Sequence, residues 1–105
     1  MMQDRKLASA ILTIDLGAVA GNYDFIKQKV GPTCTVAGVI KADAYGLGME
    51  KIWAALENQG CPFYFVATPD EALALRHLTQ KPVAALGGVY AGAEDDFIRH
   101  NIIPV

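Results

Sequence analysis

Lys41 closes an apolar, strand-like run and is followed by Ala42-Asp43-Ala44-Tyr45-Gly46-Leu47-Gly48. A charged amine in that place is expensive unless it has a task. One such task is condensation with an aldehyde cofactor. Among apolar neighbours or beside another cation, a lysine gives up its proton more readily and becomes a nucleophile. Tyr45 follows across a turn that Gly46 and Gly48 keep open, so its phenol could reach back to a phosphate near the amine. Backbone N–H groups at the start of the next helix would strengthen that grip. By type and spacing alone, a solvated lysine and a packed tyrosine explain the same pattern.

The other reactive residue types carry plainer readings. Cys34 and Cys61 form no CxxC pair and bring no histidine cluster at ligand spacing, so no metal site is expected. They read as two reduced structural thiols of a cytoplasmic protein. His77 and His100 fall in predicted helices with no nucleophile beside them. Asp43 is placed to interact with the backbone of its own turn. Trp53 lies on an apolar stripe and belongs to the core. Gly87-Gly88 could approach a phosphate, or could simply end a strand.

The chain has 105 residues, 52% of them hydrophobic and 19% charged, with a net charge of -2. This is a globular composition, about the size of one domain. Lys and Arg are scattered, which excludes a nucleic-acid footprint. No run is long enough to cross a membrane. Arg5-Lys6, the apolar stretch from Leu7 to Ile14 and Ala18-Val19-Ala20 outline a signal peptide. Asp4 and Asp15 bracket the stretch and argue against it. The alternation of Leu12, Ile14 and Leu16 with Thr13 and Asp15 favours a short strand over residues 11–16 instead.

These residues need elements to position them. Leu16, Val19, Ala20, Tyr23, Ile26 and Val30 recur at helical spacing, and Gly31-Pro32 stops that helix. Thr35 to Ile40 reads as a strand buried on both faces. Met49, Ile52, Trp53 and Leu56 form a second helical stripe, ended by Gly60. Phe63 to Ala67 is the next strand. Thr68-Pro69-Asp70-Glu71 is a helix start with a capping box and a proline at the first position, and the helix continues through Leu78. Pro82 to Leu86 is a third strand. Glu94-Asp95-Asp96 opens another helix, where the dipole favours negative charge. Residues 102–105 begin a fourth strand. This βα repeat implies an α/β fold with a parallel sheet and outer helices. It fits a doubly wound sheet or part of a (β/α)8 TIM barrel. A complete barrel needs about 250 residues, and the chain stops inside a strand, so a partial barrel of three to four βα units is expected. In either architecture function gathers at the carboxyl ends of the strands, where Lys41 stands.

The run Val39-Ile40-Lys41-Ala42-Asp43-Ala44-Tyr45-Gly46-Leu47-Gly48 closely resembles the cofactor-lysine motif of alanine racemases, fold-type III enzymes that use pyridoxal 5'-phosphate. The resemblance continues through Ile14-Asp15-Leu16 with Asn22, Phe65-Val66-Ala67, Asp70-Glu71-Ala72-Leu73-Ala74-Leu75-Arg76 and Ala85-Leu86-Gly87-Gly88. It departs at Leu47, where the family often has histidine. Gly17 also stands where an Asp or Ser would cap the first helix more strongly. The resemblance implies that Lys41 forms the covalent imine with pyridoxal phosphate, that Tyr45 contacts its phosphate and that Leu86 lines its ring pocket. It makes residues 1–16 a tail and strand, and residues 17–105 the amino-terminal part of a cofactor-binding barrel that is apparently truncated.

By resemblance the activity is racemisation of L- and D-alanine in a cytoplasmic homodimer, with sites shared between subunits. Inverting a stereocentre needs a second acid/base opposite the lysine. In the family that group is a tyrosine from the partner's carboxyl-terminal domain, and no residue of this chain maps to it. This stretch alone is therefore expected to be inactive. Two rivals are a non-catalytic barrel that handles pyridoxal phosphate and an assembly fragment without a small-molecule role, since an open parallel sheet exposes unpaired edges.

Overall fold

A computed structural model describes residues 4–105; the first three residues of the expected tail lie outside the described residues. After a single 3-10 turn at Arg5–Leu7, the elements run α1 (Leu16–Val30), β1 (Gly38–Val39), α2 (Lys41–Tyr45), α3 (Met49–Asn58), β2 (Tyr64–Val66), α4 (Pro69–Arg76), β3 (Val83–Ala85), α5 (Glu94–His100) and β4 (Ile102–Pro104). The four strands make one parallel sheet in the order β1-β2-β3-β4, each next to its sequence neighbour. Each crossover carries a helix, as parallel pairing requires. This is the expected α/β repeat.

The sheet has two different faces. Ile40, Tyr64, Val66, Val83, Ala85 and Ile102 are buried, and they form the core with Ile52, Leu56, Ala72, Leu75 and Phe97 from the helices. Gly38 is on this face because α3 comes very close. A Cβ there would sit 2.8 Å from Leu56 Cδ1 and 3.3 Å from both Cys61 Sγ and Tyr64 Cδ1. The intervening residues Val39, Phe65, Ala84 and Ile103 are aligned in one row across the four strands. That row turns away from the helices, and its end members Val39 and Ile103 are 44% and 42% exposed.

The amino-terminal expectations need correction. No strand forms over residues 11–16; the chain there is unpaired until α1 begins at Leu16. The alternation of apolar residues is real, but a strand also needs a sheet edge to pair with. Ile11, Leu12 and Ile14 remain largely exposed, so no burial compensates for ordering them. The cap of α1 is Asp15 and not the position of Gly17: its carboxylate accepts the Ala18 N–H at 3.0 Å. The strand expected from Thr35 shrinks to Gly38–Val39, bounded by Gly38 N–H to Phe63 O and Ile40 N–H to Phe65 O. The helix expected through Leu78 stops at Arg76.

Arg76 secures the segment that follows the stop. Its guanidinium donates to the carbonyls of His100 (2.9 Å), Thr79 (3.0 Å), Lys81 (2.7 Å) and Asn101 (2.9 Å). One side chain thus joins the exit of α4 to the turn between α5 and β4. Burial lowers the pKa of Arg76 somewhat; arginine stays charged regardless. A second polar cluster lies where α3 meets β2. Tyr64 donates its O–H to Glu57 at 2.6 Å, and Lys81 pairs with Glu57 at 2.9 Å while donating to the Cys61 carbonyl. Burial pushes the Tyr64 phenol well up, and its bond to Glu57 adds to that. Burial works against the Glu57 carboxylate, but Tyr64 and Lys81 outweigh it and hold Glu57 below its ordinary value. Both cysteines are free thiols, Cys34 exposed and Cys61 buried.

Candidate functional site at the carboxyl rim of the sheet

Lys41 follows β1, Thr68 follows β2, and Leu86-Gly87-Gly88 follow β3, so these residues share one rim. The backbone that carries Lys41 is unusual. Ala42, Asp43, Ala44 and Tyr45 all have positive φ, between 52° and 58°, which makes α2 a single left-handed helical turn. For non-glycine residues this handedness costs about 1–2 kcal/mol each. Ala-Asp-Ala-Tyr contains no glycine to relieve that cost, so contacts around the turn must hold it.

Several contacts do so. Within the turn, Ala44 N–H donates to Ile40 O, Gly46 N–H to Ala42 O and Gly48 N–H to Asp43 O, at 3.0, 2.9 and 2.9 Å. The Ala44 methyl is buried in the core. The Asp43 carboxylate reaches forward and accepts the Met49 N–H at 2.8 Å, which caps α3. That is the local backbone role expected of Asp43. It also occupies an amide at the start of α3, one of the N–H groups expected to be open for a phosphate.

The remaining contact comes from a distant residue. Thr68 and Glu71 form the expected capping box, with Glu71 Oε1 accepting the N–H groups of Ala67 (2.7 Å) and Thr68 (3.0 Å). Its other oxygen, Oε2, accepts the N–H of Ala42. One carboxylate therefore fastens the start of α4 to the residue next to Lys41. Burial raises the pKa of Glu71, but the N–H groups of Ala67, Ala42 and Thr68 more than offset this and hold it below the usual carboxylate range. The capping-box spacing locates the first half of this role. No spacing pattern signals the other half, because Ala42 lies 29 positions before Glu71.

The Lys41 Nζ lies 6.0 Å from the centroid of the Tyr45 ring, at the outer limit of a cation–π contact. No carboxylate among the described residues pairs with it. The Tyr45 ring is 62% exposed at the rim. Lys41 and Tyr45 thus stand near each other on the rim. Leu86 stands on the same rim, two strands away and 41% exposed, with its N–H bonded to Val66 O at 2.8 Å. Gly87 allows a close approach there, since a Cβ would meet the Ala67 carbonyl at 2.9 Å. His77 ends α4 and His100 ends α5; neither takes part in the rim. Among the described residues no three His, Cys, Asp or Glu side chains gather as a metal site. No helix of the described residues is long and apolar enough to cross a membrane.

The family model for the amino-terminal domain of alanine racemase matches residues 14–105. The chain belongs to the alanine racemase family. It is 45% identical over 106 residues to the alanine racemase of Brucella ovis, covering 97% of this chain and 26% of that protein. It is 42% identical over 100 residues to a catabolic alanine racemase of Mesorhizobium japonicum, again covering 26% of the relative. Among solved structures, an alanine racemase from Bartonella henselae with covalently bound pyridoxal phosphate superposes with a TM-score of 0.82 at 40% identity, covering 87% of this chain and 26% of that one. The enzyme from E. faecalis gives 0.81 at 28% identity. The chain therefore spans about a quarter of the length of the relatives it matches. Its four parallel strands with outer helices correspond to the first part of the alanine racemase barrel.

Proposed function

We propose that these residues are the cofactor-anchoring part of a pyridoxal-phosphate-dependent racemase that interconverts L- and D-alanine. The observation that carries this reading is a lysine amine without a carboxylate partner, held on a left-handed turn at the carboxyl rim of a parallel sheet. The donor set fits the cofactor. A primary amine suits an aldehyde, a phenol O–H can donate to a phosphate oxygen, and an exposed leucine offers an apolar wall to a ring. Lys41 would hold the cofactor covalently, Tyr45 its phosphate and Leu86 its ring. Pyridoxal phosphate supplies a conjugated system that delocalises the charge left when the α-proton departs.

The chain's own residues supply position and one proton carrier. Once free, the Lys41 amine takes or returns the α-proton on one face of the substrate. The α2 turn, held by Asp43 and Glu71, fixes where that nitrogen starts. Racemisation requires a second acid/base on the opposite face. That group belongs to the remainder of the enzyme, read as a cytoplasmic homodimer whose sites are shared between subunits.

The test is α-proton exchange of alanine in heavy water, followed by NMR. The intact enzyme should exchange the α-proton of both enantiomers, and Lys41→Ala should abolish it. The 105-residue stretch alone should not exceed free pyridoxal phosphate. Unchanged exchange in Lys41→Ala would defeat the assignment of the amine.

A further inference from the structure

Among the described residues, Glu71 is the one side chain that reaches from a different βα unit to the backbone beside Lys41. We infer that Glu71 is a positioning residue for Lys41, a strap whose carboxylate holds the left-handed turn in the conformation that presents the amine. The inference rests on the proposed role of Lys41 and adds a second residue to it.

The two oxygens divide the work. Oε1 serves the start of α4 through Ala67 and Thr68, as any capping-box glutamate would. Oε2 serves only Ala42. A helix cap has no need of that second bond, whereas the turn does. Its left-handed residues include no glycine, and their handedness is unfavourable at every position. Without the strap the turn is free to relax, and the fraction of molecules with the amine in place falls. The apparent affinity for an aldehyde partner falls by the same fraction.

Glu71→Gln separates the two functions. The amide oxygen can still accept from Ala67 and Thr68, but the amide NH2 then faces the Ala42 N–H, donor against donor. Thr68→Ala is the control, because it weakens the same helix cap and leaves the Ala42 bond untouched. The experiment titrates the intact protein, stripped of cofactor, with pyridoxal phosphate and follows the absorption of the covalent Lys41 adduct. Melting of the cofactor-free protein is followed in parallel. Glu71→Gln should weaken adduct formation about tenfold, the equivalent of roughly 1.4 kcal/mol, while Thr68→Ala stays near wild type. Glu71→Asp keeps the charge but shortens the reach; it should show the same loss and serves if the Gln variant does not fold. An unchanged titration in Glu71→Gln overturns the strap. So does an equal loss in Thr68→Ala, which would reduce Glu71 to a helix cap. A wild-type protein that forms no Lys41-dependent adduct overturns the functional reading itself, and the strap with it.

Discussion

Replacing Ala42 by glycine should stabilise the protein, although Ala to Gly inside a right-handed helix does the opposite. Ala42 is exposed with φ 52° and ψ 50°, so no buried methyl is lost. Its structural bonds use only backbone atoms: its N–H donates to Glu71 and its C=O accepts from Gly46. Glycine keeps both. An L-residue in the left-handed region costs about 1–2 kcal/mol, and glycine avoids this. Against that gain, glycine adds unfolded-state freedom worth about 0.5–1 kcal/mol. The net expectation is a stabilisation of about 0.75 kcal/mol, the difference of the midpoints of those two ranges. Urea unfolding followed by the fluorescence of Trp53, the sole tryptophan, reads this directly. With a slope of about 1–3 kcal/mol per molar, the midpoint should rise by roughly 0.5 M. A midpoint that falls by a similar amount is the signature of an ordinary right-handed turn. It would refute the left-handed geometry and the need for a strap.

Two further perturbations probe the scaffold. Arg76→Ala deprives four carbonyls of their donor and should cost about 2–4 kcal/mol in urea unfolding. Arg76→Lys should recover less than half, since a point charge cannot span the same fork; full recovery would show that charge alone matters. Acid should also weaken the fold through Glu57. Its folded pKa is depressed, so its contribution is complete above the unfolded carboxyl value and is lost as pH falls through the lower folded value. Melting measured between about pH 6 and about pH 3 should show a shallower acid loss for Glu57→Gln than for wild type, and parallel curves would remove Glu57 from the linkage.

The βα alternation was readable because burial leaves a direct trace in residue type. Ile40, Val66 and Val83 are apolar because helices cover them, and Thr68-Pro69-Asp70-Glu71 starts a helix through local chemistry alone. The rim position of Lys41 was readable for a similar reason, as a charge ending an apolar run. The handedness of its turn was not. Lys-Ala-Asp-Ala-Tyr contains no glycine to announce positive φ, and the partner of Ala42 lies 29 residues away. The error at residues 11–16 has the same origin. Alternation describes one strand, whereas pairing needs a neighbour that periodicity cannot supply.

The bond from Ala42 to Glu71 also has a consequence for biosynthesis. The growing chain emerges from the ribosome with the lysine ahead of its anchor, and the 29 residues from Asp43 through Glu71 take roughly 1.5–6 s to translate. Until the second helix-strand pair has been made and docked, the nascent segment has no reason to wind against its natural hand. The Lys41 amine therefore reaches its place on the rim late, when enough of the surrounding polypeptide exists to keep it there.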